Sequence, residues 1–180
     1  VNNNLCASQF CNCTTPIAPG CQTAGYDAGI NDCCLCQQAP VIDWITPIGG
    51  FCDGVGGENT SCTEDNEAVN CAAFGGVCNL TIANGASGNF ITIGGRWFGA
   101  VPGTVEIGGL NANLASVVNP ACINSWSDTQ IIVEVPAGLP QGLQVIMVEN
   151  AGGLQDESND ARGANVDFRV NTIIRPGLCM

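Results

Sequence analysis

The chain has 180 residues, with 16 acidic side chains against 4 basic ones, a formal net charge of -12 and only 11% charged residues. The basic residues are all arginines (Arg96, Arg162, Arg169 and Arg175), and histidine and lysine are absent. Such a field repels nucleic-acid phosphates, which excludes that partner; a chain without His or Lys also builds no Ser-His-Asp or Cys-His site, no Schiff base and no His-ligated metal.

Residues 1–39 hold Cys6, Cys11, Cys13, Cys21, Cys33, Cys34 and Cys36 among Asn, Gln and Thr, with no alternating apolar run. They are expected to form a disulfide-rich N-terminal arm. Cysteine crowding of this kind belongs to oxidising compartments, so the protein is read as extracellular, at the cell surface. A thiolate metal cluster on Cys11-Asn12-Cys13 and Cys33-Cys34-Leu35-Cys36 is the rival, less favoured reading. Val1 in place of Met suggests that a leader has been removed.

From Pro40 the composition changes, and Val41–Pro47 reads as a short strand ended by proline, with a turn at Gly49-Gly50. The main domain is placed at 40–170. Within it, residues 51–88 carry Cys52, Cys62, Cys71 and Cys78, Gly-Gly pairs and the acidic run Glu64-Asp65-Asn66-Glu67. A loop of that length needs ordering, which two disulfides would supply.

Strands are expected at Phe90–Ile93, Thr104–Ile107, Ile131–Val135, Leu143–Val148 and Val166–Val170, separated by Gly, Pro, Asn and Asp turns. Short strands at this spacing make an all-β sandwich. If Ile131, Val133 and Val135 face the core, Ile132 faces out. Taking Val145 and Met147 as the inward pair of the next strand puts Ile146 and Val148 outside as well, which makes one outer face apolar. Residues 171–180 form a tail whose Ile173 and Ile174 are placed to add a strand to a neighbouring sheet edge.

Cys122 and Cys179 complete a total of 13, an odd number. Cys179 is a candidate for a bridge between chains; alternatively Cys122 and Cys179 pair and the odd thiol lies in the arm. Sequons occur at Asn12, Asn59 and Asn79. No apolar run approaches the ~20 residues of a membrane span, so the chain is not expected to be membrane-embedded. No cofactor is assigned, although Asp156-Glu157-Ser158-Asn159-Asp160 and Glu64-Asp65-Asn66-Glu67 gather oxygen ligands that calcium accepts, without EF-hand spacing. With 16 carboxylates some pair is always close, so no glycosidase pair stands out and the chain is read as non-enzymatic.

Several segments resemble the IPT/TIG family of immunoglobulin-like sandwiches, found in cell-surface receptors, transcription factors, bacterial surface proteins and starch-acting enzymes. They are Trp44-Ile45-Thr46-Pro47-Ile48-Gly49-Gly50, Ile91-Thr92-Ile93-Gly94-Gly95-Arg96-Trp97-Phe98-Gly99, Gly103–Gly109, Ser125–Ile131, Val135–Gly142 and Val148–Gly153. The resemblance implies an immunoglobulin-like β-sandwich and says little about activity. Trp97, Phe98 and Trp126 are read as core or corner packing, which leaves Trp44 and Tyr26 as spare aromatics.

The leading expectation is a structural protein that self-assembles into a surface filament or coat, its partner being further copies of itself. The alternative is a monomeric module that binds surface glycans or proteins.

Overall fold

The computed structural model describes residues 11–12, 35–36, 39–163 and 166–176. The chain divides into two units, Val1–Ala39 and Pro40–Met180. In the first, β1 (Cys11–Asn12) pairs antiparallel with β2 (Leu35–Cys36), Cys11 opposite Cys36.

The second unit is an immunoglobulin-like β-sandwich. One sheet joins β3 (Val41–Thr46), β7 (Phe90–Arg96) and β10 (Gln130–Glu134), with β7 in the middle and both pairings antiparallel. The opposing sheet runs β13 (Gln155–Glu157), β12 (Ile146–Glu149), β8 (Thr104–Ile107) and β9 (Leu110–Asn111). A third, short sheet has β14 (Phe168–Val170) between β11 (Gly142–Gln144) and β6 (Ala83–Gly85), β14 and β6 lying parallel.

Period-two alternation explains these strands. Ile91 and Ile93, Ile131 and Val133, Val105 and Ile107, Ile146 and Val148, and Phe168 and Val170 all turn inward to one core with Ile42, Ile45 and Phe98. Each buried Ile or Val of this kind contributes about 1.5–3 kcal/mol of transfer free energy.

Three expectations are corrected here. Ile146 and Val148 belong to the core, at 0% exposure, while Val145 is outside at 38%. The run Val145-Ile146-Met147-Val148 is apolar on both phases, and Glu149, which shares its phase with Val145 and Met147, decides which face is wet. Ile132 does point away from the main core, but it is buried by the segment that follows β9. There a single helical turn, α2 (Ala115–Val118), brings Ala115 over it beside Cys122 and Phe90, and the Ile132 amide donates to the Ser125 carbonyl. Finally, the insertion is shorter than expected, because β6 is part of the sandwich.

The insertion lies between Ile48 and Ala83, which themselves form an antiparallel bridge. Inside it, β4 (Phe51–Asp53) pairs with β5 (Val77–Asn79), and Glu64–Phe74 winds through short helical turns, among them α1 (Glu67–Asn70). Two disulfides, Cys52–Cys71 and Cys62–Cys78, close it around a small core with Phe74.

The described tail folds back on its own sandwich. Ala86 donates to the Ile173 carbonyl, and Asn171 donates to the Gly85 carbonyl. Arg175 donates to Asn84 Oδ1 and to the Gly50 carbonyl. Ile173 is therefore engaged within this chain, and Ile174 stands exposed. Among the described residues no helix is long and apolar enough to cross a membrane.

Candidate functional site

Trp44 sits in β3 immediately after a register shift between Ile42 and Trp44 that leaves Asp43 without a partner across the ladder. A bulge bends the strand and re-aims the neighbouring side chains. Here it lays the indole flat over Gly94 of β7, so closely that no Cβ would fit there. One face of the ring covers the glycine, and the side chain is still 43% exposed.

Asp43 reaches along the same edge to Arg96, whose Nη1 donates to Oδ1 at 2.9 Å and to Oδ2 at 2.7 Å. The Arg96 guanidinium in turn lies over the Trp97 ring, 5.0 Å from its centroid. A cation over an indole is a favourable contact of about 0.5–1 kcal/mol at an exposed position. Gln130 stands opposite Gly94 on the third strand. The outer face thus presents an indole, an ion pair and a second indole in succession.

Trp97 departs from its sequence reading as packing. It is 39% exposed and holds a positive φ of 64°, a conformation rare for bulky side chains. The neighbouring turn enforces it: Phe98 donates to the Asp128 carbonyl, Gly99 to Asp128 Oδ1 at 2.9 Å, and Trp126 Nε1 to the Gly99 carbonyl at 2.9 Å. Phe98 is fully buried and meets Trp126 edge-on, so these two are scaffold. A bulky residue before Phe98-Gly99, where the turn needs a left-handed residue, was the available signal for Trp97.

The remaining candidates fall elsewhere. Asn59 is exposed, its Nδ2 donating to Gln141 and its Oδ1 accepting from the Thr172 amide. Asn79 Oδ1 accepts from the Thr81 amide and hydroxyl. In the first acidic run, Asn66 caps the Thr63 amide and Glu67 accepts from the Cys78 amide, which are local structural duties. Cys122 is disulfide-bonded. Cys6, Cys13, Cys21, Tyr26, Cys33, Cys34 and Cys179 lie outside the described residues, as do the side chains of Cys11, Asn12 and Cys36.

In the second acidic run, Asp156 is buried at the end of the opposing sheet and accepts from the Ile42 amide of β3 at 2.8 Å. Burial, reinforced by the adjacent charge of Asp160, raises its pKa to about 6 despite that bond. For Asp160 burial works upward too, but hydrogen bonds from the Arg162 backbone and side chain outweigh it and hold the carboxyl below its usual range.

No family model matches the chain. A cyclomaltodextrin glucanotransferase of Bacillus sp. (strain 6.6.3) is 34% identical over 109 residues, covering 51% of this chain and 14% of that enzyme. One of Niallia circulans is 33% identical over the same span and coverage. One of Bacillus sp. (strain 1011) is 46% identical over 63 residues, 35% of this chain and 8% of the enzyme. The chain thus spans about one seventh of the length of the first of these relatives. Among solved structures, the gamma-CGTase of alkalophilic Bacillus clarkii aligns with a TM-score of 0.37 at 25% identity, over 48% of this chain and 10% of that one.

Proposed function

We propose that this sandwich is a non-catalytic extracellular module that binds neutral glucans on the outer face of the β3–β7–β10 sheet. The observation that carries this reading is the exposed Trp44 indole laid flat on Gly94 beside the Asp43–Arg96 pair. A pyranose ring offers an apolar C–H face to such a platform and hydroxyls at its rim. The carboxylate accepts from those hydroxyls and the guanidinium donates to them, as charge-assisted bonds. A net charge of -12 disfavours uronates and sulfated chains, leaving neutral sugars. The relatives are named for glucan transfer and cyclic maltodextrins, which supports a glucan among neutral sugars. Their partial overlap supports an accessory role, and the disulfides and arm cysteines support an extracellular setting.

The self-assembling reading drew on an apolar outer face, the extended chain ends and the odd cysteine; of these, Ile132, Ile146 and Val148 of the face are buried within the chain's own fold and Ile173 is bonded by Ala86. The test is isothermal titration of the chain with soluble maltodextrin and cyclomaltodextrin. Wild type is expected to bind in the ~0.1–1 mM range, equivalent to about -4 to -5.5 kcal/mol. Trp44→Ala is expected to weaken binding at least about tenfold with an unchanged fold. Absence of binding by the wild type, or full affinity in Trp44→Ala, overturns the site.

A further inference from the structure

We infer that Asp156 and Asp160 form a calcium site that Arg162 occupies as a tethered counter-ion when calcium is absent. The Asp156 side chain is 0% exposed. One of its oxygens, Oδ2, is satisfied by the Ile42 amide, and the other, Oδ1, has no hydrogen-bond partner. An ionised carboxylate buried with one oxygen bare is costly, and proteins match such a group with a donor or a cation.

Arg162 approaches but does not complete the match. Its Nε lies 3.2 Å from Asp156 Oδ1 and 2.7 Å from Asp160 Oδ2. Nε carries a single N–H, and that hydrogen goes to Asp160. Asp156 Oδ1 therefore receives charge without a hydrogen bond. The Arg162 side chain is 49% exposed, so water can take over its guanidinium when it leaves the two carboxylates. The carboxylate oxygens left behind, one bare and one newly vacated, both lie within 3.2 Å of the position that Arg162 Nε holds.

The chemistry of the donors selects the ion. Only oxygens are present, with no thiolate or imidazole in the turn, which excludes the soft and borderline metals. The turn is irregular, with Asp160 donating to the Glu157 carbonyl and Val166 to the Ser158 carbonyl. Calcium tolerates irregular oxygen shells filled out by carbonyls and water, whereas magnesium demands a near-ideal octahedron. The site would tie the turn to β3 through the Asp156–Ile42 bond, joining the edges of the two main sheets.

The full chain, stripped with chelator, is titrated calorimetrically with calcium chloride and in parallel with magnesium chloride, and its Tm is followed. One calcium ion is expected to bind and to raise the Tm, with magnesium weaker. Arg162→Gln removes the competing cation and is expected to tighten calcium binding at least about tenfold. Asp160→Asn, which leaves the Asp156–Ile42 bond in place, is expected to abolish it. No calcium heat or Tm rise in either wild type or Arg162→Gln overturns the assignment. Calcium binding that survives Asp160→Asn also overturns it, by placing the ion elsewhere, such as the Glu64–Glu67 run.

Discussion

At the residue scale, Trp97 trades stability for exposure. A bulky side chain at φ 64° carries strain that Asn, which tolerates the left-handed region, does not. Trp97→Asn is expected to raise stability in urea unfolding by about 1 kcal/mol, the relieved strain less the lost Arg96 contact, while weakening glucan binding, because it removes the second indole. Asp156 gives a pH signature with a definite sign. Its folded pKa of about 6 lies above the unfolded 3.8, so its contribution is greatest below pH 4 and declines as pH rises through 6. In chelator, the stability of wild type relative to Asp156→Asn is expected to fall by on the order of 2 kcal/mol between pH 4 and pH 7. A flat difference across that range would show that the carboxyl titrates normally.

At the scale of elements, the core strands β3, β7, β8, β10 and β14 were legible because their alternation is one-sided, whereas β1, β2, β4, β5, β6, β9 and β13, of two or three residues each, are too short to show a period. Thr104–Ile107 matches the expected span, and Val41–Thr46 and Gln130–Glu134 differ from expectation by single residues. The expected strand Leu143–Val148 failed in two ways. It breaks at Val145, so that β11 pairs with β14 while β12 pairs with β8, and its inward phase is the opposite one. Four consecutive apolar residues carry no phase of their own. The stapling of the insertion was legible from its four cysteines, but the pairing Cys52–Cys71 and Cys62–Cys78 was not, since four cysteines allow three connectivities. Replacing Cys62 and Cys78 together by Ala is expected to cost about 3 kcal/mol, read as a lower urea midpoint. An unchanged midpoint would mean that the insertion melts independently of the sandwich.

At the scale of the molecule, a buried polar knot holds tail, insertion and sandwich together. Asn84 is fully buried; it donates to the Gly49 carbonyl and accepts from Asn171 and Arg175. Burial also holds the Arg175 guanidinium below its usual pKa. Asn84→Ala leaves these donors without their acceptor and is expected to cost ~2–3 kcal/mol, with amide exchange accelerating first in 171–176. Nothing in the sequence marks Asn84, because a long-range polar contact has no periodicity. The candidate site was half legible for a related reason: Trp44 stood out as an aromatic without a structural duty, while Trp97 was absorbed into a motif whose turn it only strains.

The bridge between Ile48 and Ala83 has a consequence for descent. Because the two ends of the insertion meet at this bridge, its outer turns can be lengthened, shortened or replaced while Gly49, Gly50 and Asn59 keep their bonds to Asn84, Arg175 and Thr172. That seam is a grafting point, where one scaffold can acquire new extensions by recombination and where a foreign hairpin could be displayed on the surface.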